Sequence, residues 1–194
     1  MSAQKQIRTM LTAEEYLGQE RVAEFKSEYV NGDVTAMAGG SSNHDAICAS
    51  LGEIIGSQLR GRPCRVFTSD FKVRIDKANG FRYPDVSGLC GPILYHDKTR
   101  DAYCNPAVIF EVLSPSTESF DRGEKFRLYR LLDSLFEYIL VRQDRVEVEV
   151  WTREADSVWT SVIYNEAIDS IRLKTLDCSV TLGDIYEKVE FGVE

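Results

Sequence analysis

One stretch of the sequence, Asn105 to Arg130, restricts the possible folds more than any other. Its first half, Ala107 to Leu113, is rich in β-branched and aromatic residues, follows Pro106 and ends at Ser114-Pro115, which predicts a strand. Both faces of this strand are apolar except at Glu111, a pattern typical of a central strand that is covered on both sides. Burying Glu111 without a partner would cost roughly several kcal/mol. A neutralised structural carboxyl, a metal ion or a buried lysine would each compensate it.

A helix that carries such a lysine is predicted directly after this strand. Ser116 or Thr117 can cap it, because both hydroxyls accept hydrogen bonds from free backbone amides. At about 100° per residue, Lys125 lies near the middle of one stripe of the helix. The stripe consists of Asp121, Lys125, Leu128, Tyr129 and Leu132. The Lys125 side chain can lie along the sheet with its amine in solvent, or it can reach over the strand end to Glu111. We favour the second interpretation, because the two unusual residues adjoin.

Length and cysteine content limit the class of protein. A chain of 194 residues suits one domain with a sizeable core, so residues 1–194 are predicted to form a single domain. No run approaches the roughly 18 apolar residues of a membrane helix, and Met1–Met10 lacks the apolar core of a signal peptide. The five cysteines are odd in number and form no CxxC pair, which argues against a disulfide framework or a zinc knuckle and favours a reducing cytoplasm.

The net charge of −8 bears on the partner of the protein. A passive nucleic-acid-binding surface is normally basic, so this charge argues mildly against nucleic acid. It does not exclude an enzyme that brings a divalent metal ion to a phosphate group, because the cation supplies positive charge locally.

Predicted strands and helices are interspersed along the chain rather than strictly alternating. Before the central strand we expect a helix capped by Thr12, a hairpin of Phe25–Asn31 and Asp33–Ala38, a helix over Asn43–Leu59, strands at Arg65–Thr68, Phe71–Ile75 and Arg82–Cys90, and a polar loop at Gly91–Asn105. After the lysine-bearing helix we expect strands at Tyr138–Arg142, Arg145–Thr152, Val158–Tyr164 and Ile171–Leu173, and a closing helix at Leu182–Lys188. This order predicts an α/β fold with a central mixed sheet, a helix on each face and additional antiparallel strands.

A second acidic residue, Asp85, follows Tyr83-Pro84 and precedes an apolar run. Pro84 lacks an amide donor and therefore belongs at a strand start or a bulge. If the strands of Asp85 and Glu111 are neighbours, both carboxylates can converge near one end of the sheet. Such a pair suits a hard cation such as Mg²⁺ or Mn²⁺, and beside a lysine it also suits general acid–base chemistry. The structural alternative is that Asp85 caps a turn and Glu111 pairs with an arginine.

These segments together resemble the Uma family of restriction-endonuclease-like proteins, which belongs to the PD-(D/E)XK nuclease superfamily. The resemblance rests on YPD, NPAVIFEVLSPST and DRGEKFRLYR, and it extends to SEYVNGDV, SSNHDAI and EYILVRQDRVEVEVW. The second and third blocks together are a specific signal, whereas the PD dipeptide alone is not. The resemblance implies a restriction-endonuclease-like fold and metal-dependent hydrolysis of phosphodiester bonds, with DNA as the expected substrate.

The resemblance also implies roles for individual residues. Asp85 matches the superfamily's PD acid, and Glu111 opens its (D/E)XK element. Leu113 stands where the superfamily has a lysine; the Uma family likewise has a leucine there, and Lys125 matches the helical lysine that is taken as its replacement. The implied cation, Mg²⁺ or Mn²⁺, is held by Asp85, Glu111 and the carbonyl of Val112. Lys125 is then expected to orient or deprotonate the attacking water and to offset charge in the transition state.

Two further residues, Glu28 and His44, are candidates for supporting this site. His44 lies in the first turn of its predicted helix and on the apolar stripe, so it can face the sheet. A packed, hydrogen-bonded histidine is the commoner outcome, but the family that the chain resembles has a histidine here. Glu28 lies on the predicted hairpin, where an exposed glutamate is the ordinary outcome. The family pattern includes this acid, which implies a metal ligand or a residue that supports the ligands.

Two rival functions remain open. One is an interaction module that keeps the nuclease fold but has lost cleavage, since a fold does not dictate a function. The other is a hydrolase with two catalytic carboxylates acting on a small substrate such as a sugar, which would require neither a metal ion nor a lysine.

A homodimer is also expected, because cutting both strands of a duplex takes two active sites and two-fold symmetry presents them equivalently. The candidate interface lies on the strands Arg145–Thr152 and Val158–Tyr164. One face of the first strand carries Val146, Val148 and Val150, while the other mixes charge with tryptophan, through Arg145, Glu147, Glu149 and Trp151, and is joined by Trp159. The alternative is that both tryptophans pack a solvent-side corner of a monomer.

Overall fold

The fold is built from two large sheets, a small third sheet and short helices, as seen in a computed structural model that describes residues 10–37, 39–155 and 158–192. The helices are α1 (Ala13–Glu20), α2 (Ser42–Gln58), α3 (Glu118–Phe120), α4 (Phe126–Tyr129) and α5 (Leu182–Ile185). The strands are β1 (Ser27–Val30), β2 (Asp33–Ala36), β3 (Cys64–Thr68), β4 (Lys72–Ile75), β5 (Gly80–Arg82), β6 (Val86–Cys90), β7 (Ala102–Tyr103), β8 (Val108–Leu113), β9 (Glu137–Arg142), β10 (Val148–Arg153), β11 (Trp159–Tyr164), β12 (Ser170–Leu173) and β13 (Cys178–Thr181).

The larger sheet contains the predicted central strand. Its order is β11-β10-β9-β8-β6-β3, with β8 and β9 parallel and the other neighbours antiparallel, so the sheet is mixed as expected. All six residues of β8 are buried, as the apolar character of both faces predicted. The predicted α/β fold class, with a mixed sheet flanked by helices, is confirmed.

Different layers cover the two faces of this sheet. Helix α2, helix α5 and the β12–β13 hairpin pack on the face that carries Val108, Phe110 and Val112. The other face, with Ile109 and Leu113, packs against the helical segment that follows β8 and against β4 and β7 of the second sheet. That second sheet has the order β2-β1-β5-β4-β7. Strand β8 therefore lies between two hydrophobic cores.

The N-terminal elements form as their local signals predicted. Thr12 and Glu15 form a reciprocal capping box at the start of α1. Asn31 and Gly32 both have positive φ and join β1 to β2 in a tight hairpin. Of the predicted boundaries here, Ala38 lies outside the described residues, and so does most of Met1–Met10.

The single strand predicted over Arg82–Cys90 is wrong, because two strands in different sheets replace it. β5 ends at Arg82 and pairs with β1 and β4, whereas β6 begins at Val86 and pairs with β3 and β8. The chain crosses between the sheets at Tyr83-Pro84-Asp85, where Pro84 has no amide to contribute to a ladder. The crossing leaves Asp85 immediately ahead of β6.

The expectation that the cysteines form no disulfide is also wrong for one pair. Cys64 and Cys90 are directly opposite in the β3–β6 register, and a disulfide joins them. Sequence spacing did not indicate this pairing, because it depends on which strands are neighbours. The expected lack of disulfides was one reason to predict a reducing compartment. This disulfide removes that reason, so a cytoplasmic location stays a prediction. No helix among the described residues has the length and apolar character that a membrane span requires.

The helix predicted after β8 forms, but its first turns are irregular. A π-helical stretch, Asp121–Lys125, separates α3 from α4, and the backbone carbonyl of Asp121 accepts a hydrogen bond from the hydroxyl of Tyr138 at 2.9 Å. The predicted hydroxyl cap is absent at Thr117, whose side chain instead contacts Ser114 at 2.9 Å between oxygens. The stripe itself is confirmed, since Asp121, Lys125, Leu128, Tyr129 and Leu132 are all buried.

The two tryptophans pack within the chain. Trp151 and Trp159 each lie with their ring centroids 5.2 Å from that of Phe126. On the same face of β10, Glu149 is buried and pairs with Arg122 of the helical segment. This packing agrees with the alternative in which the tryptophans cover a corner of the monomer, while the homodimer stays a prediction.

Candidate active site

Asp85 is held at the crossing between the two sheets by two hydrogen bonds. Its Oδ2 atom accepts from the backbone amide of Val112 at 2.7 Å, which fixes the carboxylate against the end of β8. The same oxygen lies 3.2 Å from Nε2 of His44, which reaches it from the first turn of α2. Asp85 thus lies against the end of the central strand, while the expected convergence of its carboxylate with that of Glu111 stays a prediction.

Glu111 points to the opposite side of β8 and meets the predicted lysine. Nζ of Lys125 donates to Oε2 of Glu111 at 2.7 Å, and it lies 3.6 Å from Oδ1 of Asp121 one turn earlier. The Glu111 side chain is only 1% exposed. Among the described residues, its other oxygen, Oε1, has no hydrogen-bond partner although it is buried. One oxygen of Glu111 is therefore paired and the other is left unsatisfied.

Glu28 is buried rather than exposed, and it organises the approach to Asp85. Its carboxylate pairs with the guanidinium of Arg82 and accepts a hydrogen bond from the backbone amide of Tyr83 at 3.1 Å. These contacts hold the last residue of β5 and the first residue of the crossing. Glu28 also contributes to the electrostatic environment of Lys125, so it belongs to the same charged cluster.

His44 lines the α2 side of the site together with Cys48. The two residues are four apart on α2, and Sγ of Cys48 lies 3.7 Å from Nδ1 of His44. Gly40, just ahead of the helix, has no side chain at the point where a Cβ would come within 2.8 Å of Nδ1. Packing of the His44 ring thus depends on a glycine at this position.

Acidic charge dominates the cluster around Lys125. Burial alone would lower the pKa of Lys125, but the carboxylates of Glu111, Glu28, Asp121 and Asp85 raise it, so the amine is a cation at neutral pH. Burial raises the pKa of Glu111 well above its ordinary value, and the negative charges of Asp85 and Asp121 add to this rise against the opposing effect of Lys125. Four carboxylates share this region with Lys125 and Arg82. The excess of negative charge favours a cation.

The pKa of Asp85 is shifted in the opposite direction from the pKa of Glu111. Burial would raise the pKa of Asp85, but hydrogen bonds from His44 and Val112 and the charge of Lys125 lower it below its ordinary value. The hydrogen bond to Asp85 raises the pKa of His44, against the opposing effect of burial. Asp85 therefore ionises at lower pH than Glu111.

The donor set fits a hard divalent cation. Asp85 and Glu111 supply carboxylate oxygens from the two sides of one strand end, and a buried, unsatisfied oxygen on Glu111 is the kind of atom that a metal ion would satisfy. The neighbouring backbone carbonyl of Val112 belongs to the same strand end. A cation would also offset the excess of carboxylates.

Sequence reasoning found most of this cluster and missed three members. Asp85, Glu111, Lys125, His44 and Glu28 are brought together as predicted, although their roles stay predictions. Cys48 was not predicted as a neighbour of the site, although its spacing of four residues from His44 places both on one face of the helix. The same helical spacing relates Asp121 to Lys125. The Arg82–Glu28 pair has no such local pattern, because it depends on strand pairing.

A mixed sheet flanked by helices, with two acids and a lysine at the end of its central strand, defines the class of restriction-endonuclease-like proteins. The family model Uma2, described as "Putative restriction endonuclease", matches residues 13–183. The chain therefore belongs to the Uma2 family, as the sequence resemblance predicted.

Relatives of similar length agree with this assignment. The chain is 37% identical over 181 residues to "Uncharacterized protein slr1290" of Synechocystis sp., with 93% of this chain and 94% of that protein covered. It is 35% identical over 150 residues to "Uncharacterized protein sll1609" of the same organism, with 77% and 85% covered. The fold is similar to the crystal structure of "a putative nuclease belonging to DUF820" from Anabaena variabilis, with a TM-score of 0.74, 16% identity, and 91% of this chain and 98% of that chain covered.

Proposed function

We propose that the protein is a metal-dependent endonuclease that hydrolyses phosphodiester bonds in DNA. The observation that carries this proposal is the buried carboxylate of Glu111. One of its oxygens is bonded to Lys125, and the other has no partner among the residues that the structure describes, near the ionised Asp85. Membership of a family described as restriction endonucleases supports the same class of reaction.

The cation that suits this site is Mg²⁺ or Mn²⁺, because its ligands are oxygen atoms. Asp85, Glu111 and the carbonyl of Val112 would hold it. When bound, such a cation polarises the phosphate and lowers the pKa of a water molecule. The local positive charge also explains how a chain with a net charge of −8 can approach a polyanion.

Lys125 acts as a cation in this proposal. Because neighbouring carboxylates raise its pKa, its amine is protonated at neutral pH and is a hydrogen-bond donor rather than a base. Its donated hydrogen bonds orient the attacking water, and its charge offsets the negative charge that develops on the phosphate. Of the two roles expected from the sequence, orientation is therefore favoured over deprotonation.

His44 and Glu28 serve as positioning residues. His44 holds the carboxylate of Asp85 on the α2 side, while the amide of Val112 holds it on the strand side. Glu28 fixes Arg82 and Tyr83, and thereby the crossing from which Asp85 projects. Neither residue needs to contact the substrate in this scheme.

The second candidate function is a catalytically inactive interaction module with the same fold. The net charge of −8 favours it, because no compensating cation is required for a protein that binds no nucleic acid. A glycosidase-like reaction is less well supported, because a lysine ion-paired with one acid has no part in that chemistry.

Nicking of supercoiled plasmid DNA in the presence of Mn²⁺ separates these functions. Wild type should nick the plasmid, while Asp85→Asn and Lys125→Ala should lose at least about 10²-fold in rate. Asp133→Asn is the matched control, because this exposed acid forms an ion pair with the surface residue Lys77 and lies outside the cluster. Equal rates in all four proteins would reveal a contaminating nuclease, and no turnover by folded wild type would favour the inactive module.

We further propose that the protein acts as a homodimer, so that two sites face the two strands of a duplex. The edge strand β11 exposes Val162 and Ile163, and Val158 just before it is also exposed. An exposed apolar edge strand can pair with a second copy. Light scattering at micromolar concentration should give twice the 22.0 kDa monomer mass, and a mass near 22.0 kDa would refute the dimer.

A further inference from the structure

The α2 side of the cluster carries a second set of metal-binding atoms, of which the nuclease proposal uses Asp85 as a ligand but neither His44 nor Cys48. His44 and Cys48 project from the same face of α2, and Asp85 approaches them from the crossing between the sheets. One ligand atom from each of these three residues lies within 4.8 Å of the other two. The set includes a thiol, which hard cations such as Mg²⁺ avoid.

We propose that His44, Cys48 and Asp85 form a site for a soft divalent transition-metal ion of the zinc class. Thiolate and imidazole ligands select this class of ion, and three protein ligands leave a fourth position for water.

The spacing of the atoms agrees with this assignment. In a tetrahedral site, a zinc-bound sulfur and a zinc-bound nitrogen lie about 3.6 Å apart, from bond lengths of about 2.3 and 2.05 Å. The observed separation of Cys48 Sγ and His44 Nδ1 is 3.7 Å. An ion can therefore lie between these two atoms, and Asp85, which contacts Nε2 of the same ring, completes the set by turning toward it.

Gly40 lies close to the ring nitrogen of His44 that belongs to this set. A Cβ at position 40 would lie 2.8 Å from Nδ1, the nitrogen that faces Cys48. A side chain at position 40 would therefore crowd Nδ1 of His44. On binding, the cation displaces the thiol proton of Cys48 to solvent, so a neutral thiol becomes a thiolate ligand.

The site shares Asp85 with the proposed hard-cation site. An ion of the zinc class bound to Asp85 would therefore compete with Mg²⁺ or Mn²⁺ for this carboxylate. This consequence rests on the proposed nuclease function and predicts that Zn²⁺ inhibits Mn²⁺-supported cleavage. Binding of the soft ion does not rest on it, so a spectroscopic test can succeed or fail independently of activity.

Titration of the folded full chain with Co²⁺ tests the site, because cobalt reports thiolate ligation by a near-ultraviolet charge-transfer band. Wild type should develop the band with one equivalent of Co²⁺, and Zn²⁺ should abolish it while equimolar Mg²⁺ does not. Cys48→Ser should lose the band, and His44→Ala should bind Co²⁺ at least about tenfold more weakly.

Cys104→Ser is the matched control, since Cys104 is a free, partly buried cysteine outside the cluster, and it should keep the full band. Circular dichroism establishes that each variant is folded. No band in wild type, or a band that survives in folded Cys48→Ser, would overturn the proposal.

Discussion

Glu111 and Glu137 lie on the neighbouring strands β8 and β9, and each is only 1% exposed, but their surroundings differ completely. Glu137, at the start of β9, accepts hydrogen bonds from the backbone amides of Lys174 and Thr175 at 2.9 and 3.0 Å and from the hydroxyl of Thr175. Both of its oxygens are satisfied by the chain. Glu111, near the end of β8, has one oxygen on Lys125 and one without a partner among the described residues.

The difference separates a buried acid with a structural role from one for which we propose a role in function. Glu137 fastens the loop between β12 and β13 to the sheet, and nothing more is needed to explain its burial. Glu111 lies among other carboxylates that raise its pKa, and its burial is only partly compensated. Burial alone therefore does not identify a site; an unsatisfied oxygen within an excess of like charge does.

The largest effect is expected from removing the partner of Glu111. Lys125→Met leaves a buried carboxylate without its cation, so the free energy of unfolding at neutral pH should fall by about 3–5 kcal/mol. Urea denaturation measures this change. Lys77→Met is the control, because Lys77 pairs with Asp133 at the exposed surface, where such a pair is worth about 0–1 kcal/mol. Equal losses of unfolding free energy in both variants would show that burial does not make the Lys125–Glu111 pair more important for stability than a surface pair.

A smaller effect on stability is expected when either glutamate is neutralised, and its direction differs between the two residues. Glu137→Gln should lose about 1–3 kcal/mol, because charge-assisted bonds from Lys174 and Thr175 are weakened. Glu111→Gln should be as stable as wild type or more stable in metal-free buffer, since like-charge repulsion and desolvation are relieved. Lys125 would still lie near Asp121 and Asp85.

Thermal melts in buffer containing a chelator measure both variants. A large loss of stability in Glu111→Gln, matching that in Glu137→Gln, would assign Glu111 a structural role and remove the contrast between the two strands.

The smallest effect concerns the hydrogen bond between His44 and Asp85. The folded pKa of His44 is raised above its ordinary value of 6.5, so its stabilising contribution is complete below pH 6.5 and is lost as the pH rises through the folded pKa. The folded pKa of Asp85 is lowered below 3.8, so its contribution is complete above pH 3.8 and is lost as the pH falls through the folded pKa.

The pair should therefore contribute most between about pH 4 and 6.5, by on the order of 1 kcal/mol or less. Titration of the His44 ring protons by NMR should show a lower pKa in Asp85→Asn than in wild type. An unchanged His44 titration would mean that Asp85 does not hold the ring.

Local periodicity was sufficient to predict the half of the site that is close in sequence. The double apolar face of β8 singled out Glu111, and the helical stripe singled out Lys125, because both depend on residues within a few turns or strand positions. The π-helical stretch did not disturb the stripe, so the prediction held despite an irregular backbone.

Features that depend on strand pairing could not be predicted from the sequence. The crossing at Asp85 separates two sheets, and the Cys64–Cys90 disulfide follows from the β3–β6 register. Likewise, Glu137 finds its partners at Lys174 and Thr175, which are 37 and 38 residues away. No local pattern marks such contacts, because side chains distant in sequence meet only once the topology is fixed.

Calorimetric titration with Mn²⁺ of wild type, Glu111→Gln and Glu137→Gln tests the central claim most directly. The site geometry predicts one binding event in wild type, binding at least about tenfold weaker in Glu111→Gln, and wild-type affinity in Glu137→Gln. Of these two glutamates, Glu111 alone has an oxygen without a partner among the described residues. Undiminished Mn²⁺ affinity in Glu111→Gln, or no binding to folded wild type, would contradict the metal site at the end of β8.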